Sequence, residues 1–306
     1  MGESYTVETA IADQAATLRK RGRTQSKGRR SMTSVTRVMS FTSGKGGVGK
    51  THTVLNVGLA LCREGRSVLL LDADLGLANI HVMLGLQPRY TLNDLFEGRK
   101  TLEEILVNGP DGLSIIPSAS GVESMCNLSP EQRMMLTEAV EQVADRFDYL
   151  LIDTQAGIGA DVLHFNSAAS EIVCVINGEP TSLTDAYALI KVMAQNYGEK
   201  AFSIIANNVA DELEGKRAFA RLAQSVGRFL HVNLKYLGFV PRDAAANEAI
   251  RSQRALLEVY PSSQAGRALA GLARRIDNEF YDHRVKGGMQ FFFEQLVTMG
   301  AQHGDR

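Results

Sequence analysis

From residue 38 to about residue 275 the chain alternates two hydrophobic patterns. Short runs at 38–42, 67–71, 113–117, 149–152, 171–176, 202–206 and 234–240 are apolar on both faces. That is the pattern of strands buried in a parallel sheet. Between them lie helix-like stretches at 50–64, stopped by Gly65, at 130–146, capped by Ser129, and at 181–197 and 215–229. The alternation predicts an α/β fold, a mostly parallel twisted sheet with helices on both faces. Ligands of such sheets bind outside the carboxyl ends of the strands, so polar residues following each strand are expected to converge.

The flanks read differently. Residues 1–37 form an N-terminal region, and residues 276–306 form a linker and a C-terminal helix. Ile11, Ala15 and Leu18 make a weak apolar stripe at helical spacing. Arg19, Lys20, Arg21, Arg23, Lys27, Arg29, Arg30 and Arg37 follow with no acid among them, as in a solvated flexible arm. At the other end, Met289, Phe292, Phe293, Leu296 and Val297 share one helical face, with Phe291 at its edge, after a Gly287-Gly288 hinge. Such a helix suits a membrane interface, a groove of its own domain, or a plain core.

Composition narrows the classes. With 44% apolar residues the chain can bury an ordinary core, and a net charge of −1 makes direct DNA binding an unexpected property. Cys62, Cys126 and Cys174 form no CxxC pair, which argues against a disulfide framework or a zinc site and for a reducing compartment. No apolar run has transmembrane length. The expected location is the cytoplasm, with any membrane contact peripheral.

The segment Gly44-Lys45-Gly46-Gly47-Val48-Gly49-Lys50-Thr51 fits G-x-x-x-x-G-K-[ST] between a strand and a helix. Its glycines let backbone N–H groups curl around phosphates, and the following helix adds its positive end. Lys50 is expected at the β and γ phosphates of ATP, and the Thr51 hydroxyl on Mg²⁺. Asp72, Asp74 and Asp153 stand at strand ends, where acids lie close to a nucleotide's magnesium.

Lys45, with Gly46, Gly47, Gly49, Lys50 and Thr51, gives K-G-G-x-G-K-T, which resembles the deviant Walker A ATPases of the MinD/ParA (SIMIBI) class. That resemblance implies an early lysine, Lys45, reaching across an ATP-bound homodimer to the partner's nucleotide. It also implies Asp153 as the Walker B aspartate, Asp72 as a second contributor to the Mg²⁺ shell, and Asp74 as the switch I residue that orients water. The run from Asp153 through Gly157 to Ile158 resembles switch II. Asn207 matches an adenine-contacting asparagine, and the Pro241-Arg242-Asp243 loop flanks the base, with Pro241 and Asp243 as contacts. His52, which follows the P-loop threonine and is counted with the cofactor-binding residues, stands where asparagine or serine is commoner in the family. His81 and Gln155 also depart from the usual pattern.

Asp74 to Ile80, Ser118 to Gly121 and above all Glu179 to Lys191 narrow the resemblance to the FlhG/FleN family of MinD-like ATPases. It implies that Asp13, Gln14, Leu18 and Arg19 belong to a helix that stimulates an FlhF-type GTPase. It further implies peripheral membrane attachment in the ATP state, with a cell pole as one location, through Phe291, Phe292, Phe293 and Leu296, and binding of a FleQ-type flagellar transcription activator. The expected activity is slow, dimer-dependent ATP hydrolysis controlling flagellar number. A MinD/ParA-class positioner of another cargo and a nucleotide-gated antiactivator with negligible turnover are the alternatives at this stage.

Overall fold

The computed structural model describes residues 35–74, 80–117, 129–279, 288–289 and 291–295. Among these the sheet has eight strands: β1 (Arg37–Ser43), β2 (Val68–Ala73), β3 (Val107–Asn108), β4 (Ser114–Ile116), β5 (Tyr149–Ala156), β6 (Glu171–Ile176), β7 (Ala201–Val209) and β8 (Asn233–Pro241). Their order is β3-β4-β2-β5-β1-β6-β7-β8. Every neighbouring pair is parallel except β3 with β4. The expected mostly parallel α/β sheet is therefore what these residues form. The P-loop strand β1 lies inside the sheet with β5 and β6 as neighbours, and all seven of its residues are buried.

The longer helices are α1 (Lys50–Arg63), α2 (Pro130–Glu141), α3 (Ala160–Ala168), α4 (Pro180–Asn196), α5 (Glu212–Phe229), α6 (Ala244–Arg251) and α7 (Gln264–Asn278). Caps explain several of their starts. Ser129, followed by Pro130 at the first helical position, makes a capping box with Gln132. The side chains of Asp211, Asp243 and Ser263 cap α5, α6 and α7. Two layers cover the sheet. One packs α1 and α7 on β1, β2 and β8 through Leu55, Leu59, Leu269 and Leu272; on the other face Leu150 and Ile152 of β5 meet Phe165 of α3 and the C-terminal Phe292 and Phe293. The latter face answers one of the three readings of that segment, since Phe292 and Phe293 are buried in the domain's own core while Phe291 is 38% exposed.

Several boundaries differ from the sequence reading, each for a tertiary reason. Helix α2 ends at Glu141, and a separate 3₁₀ turn covers Ala144–Arg146. Strands β2, β5 and β7 run beyond the expected ends because their parallel partners continue, pairing Asp72 with Asp153 and Asn207 with Val240. Arg37, grouped with the basic arm in sequence, is the first residue of β1. It is 6% exposed and its guanidinium is bound by Glu171 and the carbonyl of Ile276. Residue 275 falls inside α7, which runs to Asn278. Asp13, Gln14, Leu18, Arg19, Cys126 and Leu296 lie outside the described residues.

Candidate functional site

The loop between β1 and α1 is held by three contacts. Gly44 packs against the backbone of Asp185 and Ala186 in α4, so that a Cβ there would fall on main-chain atoms. The Ser43 hydroxyl donates to the Lys45 carbonyl at 3.0 Å. Asn207 on β7 donates its amide to the Val48 carbonyl at 2.7 Å. Gly47 and Gly49 have φ of 80° and 84°, a left-handed backbone that favours glycine and aims successive N–H groups to one side. A Cβ on Gly49 would also meet the Asn207 amide. The expected anion nest therefore has the backbone it requires, at the N-terminus of α1.

Lys50, the first residue of α1, forms a buried ion pair with Asp153 on β5, their side chains 7% and 0% exposed. Burial pushes the Asp153 carboxyl up, and Lys50 and the Thr51 hydroxyl pull it back down; Asp74 pushes it up again. Those influences place Lys50, Thr51, Asp74 and Asp153 in one neighbourhood at the carboxyl ends of β1, β2 and β5. Asp153 Oδ2 is buried with no hydrogen-bond partner. A buried carboxylate oxygen left over beside a threonine hydroxyl fits Mg²⁺ held together with phosphates and water. Among the described residues no three His, Cys, Asp or Glu side chains form a metal cluster. The Thr51 hydroxyl and the Asp153 carboxylate are donors that suit an ion also held by a nucleotide's phosphates.

Asp72 is placed otherwise. It is 1% exposed, and its two oxygens accept from the backbone N–H groups of Asp74, at 3.3 Å, and Ile80, at 3.2 Å. Its carboxylate therefore ties the end of β2 to the short helix Ile80–Met83, across residues 75–79. The segment after Asp153 is anchored where β5 leaves the sheet. The Gly157 N–H donates to the Ser43 carbonyl at 2.8 Å, and Gly157 itself has φ 98°. That bond joins the turn after β5 to the base of the phosphate loop.

Lys45 turns away from this cluster. Its ammonium donates to Glu179 at 2.7 Å and to the Thr181 hydroxyl at 3.0 Å, both at the start of α4. The pair is surface-lying, with side chains 39% and 57% exposed, and Lys45 holds the Glu179 carboxyl below its usual range. The sequence marked Glu179 only as part of a diagnostic stretch. Its role as counter-ion to Lys45, 134 residues away, has no local signal in the sequence.

A cavity opens beside the loop, lined by Val48, Gly49, His52, Asn207, Pro241 and Arg242 among others. This brings together the residues expected around the base. Asp243 also borders it, but its oxygens accept from Ala245 N–H (2.9 Å) and Ala265 N–H (3.0 Å). Those donors hold its carboxyl below the usual range, that of Ala265 most. Asp243 shapes the cavity by fixing α6 and α7. His52 is 8% exposed, and burial pushes its imidazole down to about 4, so the ring is neutral.

A family model described as an AAA domain matches residues 36–204. The antiactivator FleN of Pseudomonas aeruginosa is 45% identical over 264 residues, covering 86% of this chain and 94% of that protein. The chain belongs to the FlhG/FleN family of MinD-like P-loop ATPases. The flagellum site-determining protein YlxH of Helicobacter pylori is 31% identical over 266 residues, covering 86% and 90% of the two chains. Among solved structures, MinD in the MinC:MinD complex of Aquifex aeolicus superposes with a TM-score of 0.63 at 28% identity, covering 80% of this chain and 98% of that one. MinD of Pyrococcus horikoshii, solved with Mg-ADP, gives 0.62 at 27%, covering 79% and 96%. In this FlhG/FleN chain the phosphate loop, β5 and α1 all lie within the residues matched by the family model.

Proposed function

We propose that this chain is an ATP-driven dimerising switch that limits flagellar number. Two copies close face to face around two ATP molecules, and Lys45 of each reaches the other's phosphates. One observation carries this reading. Lys50 and Asp153 are buried with Thr51 and Asp74 beside them, whereas Lys45, in the same loop, points outward to a rim where another copy can meet it.

In that reading Lys50 and the loop N–H groups hold the terminal phosphates, while Thr51 and Asp153 hold Mg²⁺, with Asp72 supporting the shell through the loop it fixes. Asp74 orients the attacking water, and Lys45 supplies charge where negative charge accumulates in the transition state. Hydrolysis is slow in a lone subunit because that charge comes only from the partner. Asn207 and Pro241 border the adenine.

The outputs are binding events. The relatives' descriptions as an antiactivator and a flagellum site-determining protein support a FleQ-type transcription activator as one target and flagellar placement as the setting. The Asp13-Gln14 segment supports an FlhF-type GTPase as another. The aromatic face of residues 289–295 supports a helix exchanging between its core site and a lipid surface. Among the described residues no helix is long and apolar enough to cross a membrane.

The test is mass in solution. Asp74→Ala is expected to remain dimeric with ATP and to stay monomeric with ADP, while releasing no phosphate. One constant mass whatever the nucleotide refutes the switch.

A further inference from the structure

We propose that Gln253 is a positioning residue for ATP hydrolysis: its carboxamide holds the short helix that follows Asp74 and so governs where the Asp74 carboxylate stands. The assignment rests on the role of Asp74 given above and names what steadies that residue from another part of the chain.

Gln253 occupies a backbone conformation that suits another residue. Helix α6 ends in a closed turn, in which the Arg254 N–H donates to the Ala249 carbonyl at 3.0 Å and the Gln253 N–H to the Ile250 carbonyl at 3.1 Å. That pair of bonds needs a left-handed residue between Ser252 and Arg254, and glycine ordinarily fills the place. Here glutamine takes it, with φ 52°. A Cβ is disfavoured in that region, and side chains kept in such strained places cluster where they have a task.

The task is visible in where the side chain goes. Gln253 Nε2 donates to the Val82 carbonyl at 3.1 Å, 171 residues away. A Cβ built on Gly85 would stand 3.6 Å from the Gln253 Cβ, so the two backbones pass in close contact. Val82 belongs to the short helix Ile80–Met83, whose Ile80 N–H is bound by one Asp72 oxygen while the other accepts from the Asp74 N–H. Asp74 and Ile80 thus hang from one carboxylate, and Gln253 supplies a second, independent hold on the helix that Ile80 begins. Its own base is firm. Asp243, the cap of α6, accepts from the Ala265 N–H of α7, and Ala246, Asn247 and Ile250 of α6 line the cavity beside the phosphate loop. Gln253 therefore bridges from a wall of the nucleotide cavity to the segment that carries Asp74. Placement of a residue that orients water bears on the chemical step, whereas nucleotide affinity depends on other contacts.

Phosphate release per dimer at saturating ATP, ADP affinity by calorimetry and ATP-dependent mass by light scattering are measured on the full chain, wild type, Gln253→Glu and Gln253→Gly. Glutamate keeps the shape and, ionised, loses the donor; glycine loses the side chain and suits the backbone. A neutral hydrogen bond corresponds to about 2- to 10-fold. Both variants are expected to lower turnover by that factor with ADP affinity and dimer mass unchanged. Gln253→Gly is expected to melt within about 4 °C of the wild type, because relief of the backbone offsets the lost bond. A merely structural residue would lower the melting temperature without separating turnover from binding. Turnover reduced less than twofold in a folded variant, or an equal fall in ADP affinity or dimer mass, overturns the assignment. If Gln253→Glu does not melt cooperatively, Gln253→Gly decides by the same criteria. Asp74→Ala tells the two readings apart. Normal turnover in Asp74→Ala, or none in the wild type, overturns the role of Asp74 and that of Gln253 with it; an inactive Asp74→Ala beside normal Gln253 variants overturns the positioning alone.

Discussion

Replacing Phe292 by alanine tests how firmly the C-terminal segment is held. Phe292 is fully buried and stacks on Phe165 of α3 with ring centroids 6.2 Å apart; Phe293 meets it edge-on at 5.0 Å. Burying Met289, Phe292 and Phe293 contributes about 1.5–3 kcal/mol each, or about 5–9 kcal/mol together. Ordering the residues of 289–295 costs about 1.5 kcal/mol each, or about 10 kcal/mol. The cost equals or exceeds that gain, so docking depends on the further contacts, the ring stacking and the Phe292 N–H bond to Gly288, and the segment is held with little to spare. Phe→Ala in a core removes about 3–5 kcal/mol. That loss is at least a hundredfold in the docked-to-free ratio, at 1.4 kcal/mol per tenfold. Hydrogen exchange is the assay. Amides of 291–295 in Phe292→Ala are expected to lose their protection, beginning with the Phe292 N–H that donates to the Gly288 carbonyl at 3.0 Å, while those of α1 keep theirs. Unchanged protection over 291–295 refutes the reasoning, and equal loss over α1 shows a damaged domain instead.

Lys50→Ala should abolish ATP binding, measured by calorimetry; retained tight binding contradicts the phosphate role. Glu179→Gln frees Lys45 from its partner on the same chain and should raise ATP-dependent dimerisation by a factor of a few, read by light scattering across protein concentration. A fall would mean that Glu179 acts within the dimer. Arg37→Met leaves Glu171 and the Ile276 carbonyl without their guanidinium; with Glu171 22% exposed, about 2 kcal/mol is expected to be lost. In a domain of this size that lowers the melting temperature by about 4–8 °C, with ADP binding preserved.

How much of this was readable beforehand depended on the range of the signal. The phosphate loop was legible because its requirements are local: left-handed glycines at 47 and 49, a strand before, a helix after. Asp153 was legible as an acid at a strand end. Its pairing with Lys50, 103 residues away, was legible only through the motif. The short helices Leu92–Phe96 and Leu102–Ile105 escaped because one turn is too brief to show a period, although each has a capping box at Thr91 or Thr101. Asp72 and Asp243 looked alike as polar residues near strand ends. Only the positions of backbone N–H groups from residues 80, 245 and 265 reveal that both carboxylates brace loops. The burial of Phe292 against Phe165 was one of three outcomes compatible with the same apolar stripe, and the choice depended on a complementary surface elsewhere in the chain.

The contact at Gly44 has a mechanical consequence. With nothing but hydrogen between that residue and the main chain of α4, there is no compressible layer to absorb relative displacement. A tilt of α4 therefore bears directly on the phosphate loop, and a displacement of the loop bears on the helix. The seventeen-residue rod from Pro180 to Asn196 is in that sense a lever that bears on the phosphate loop.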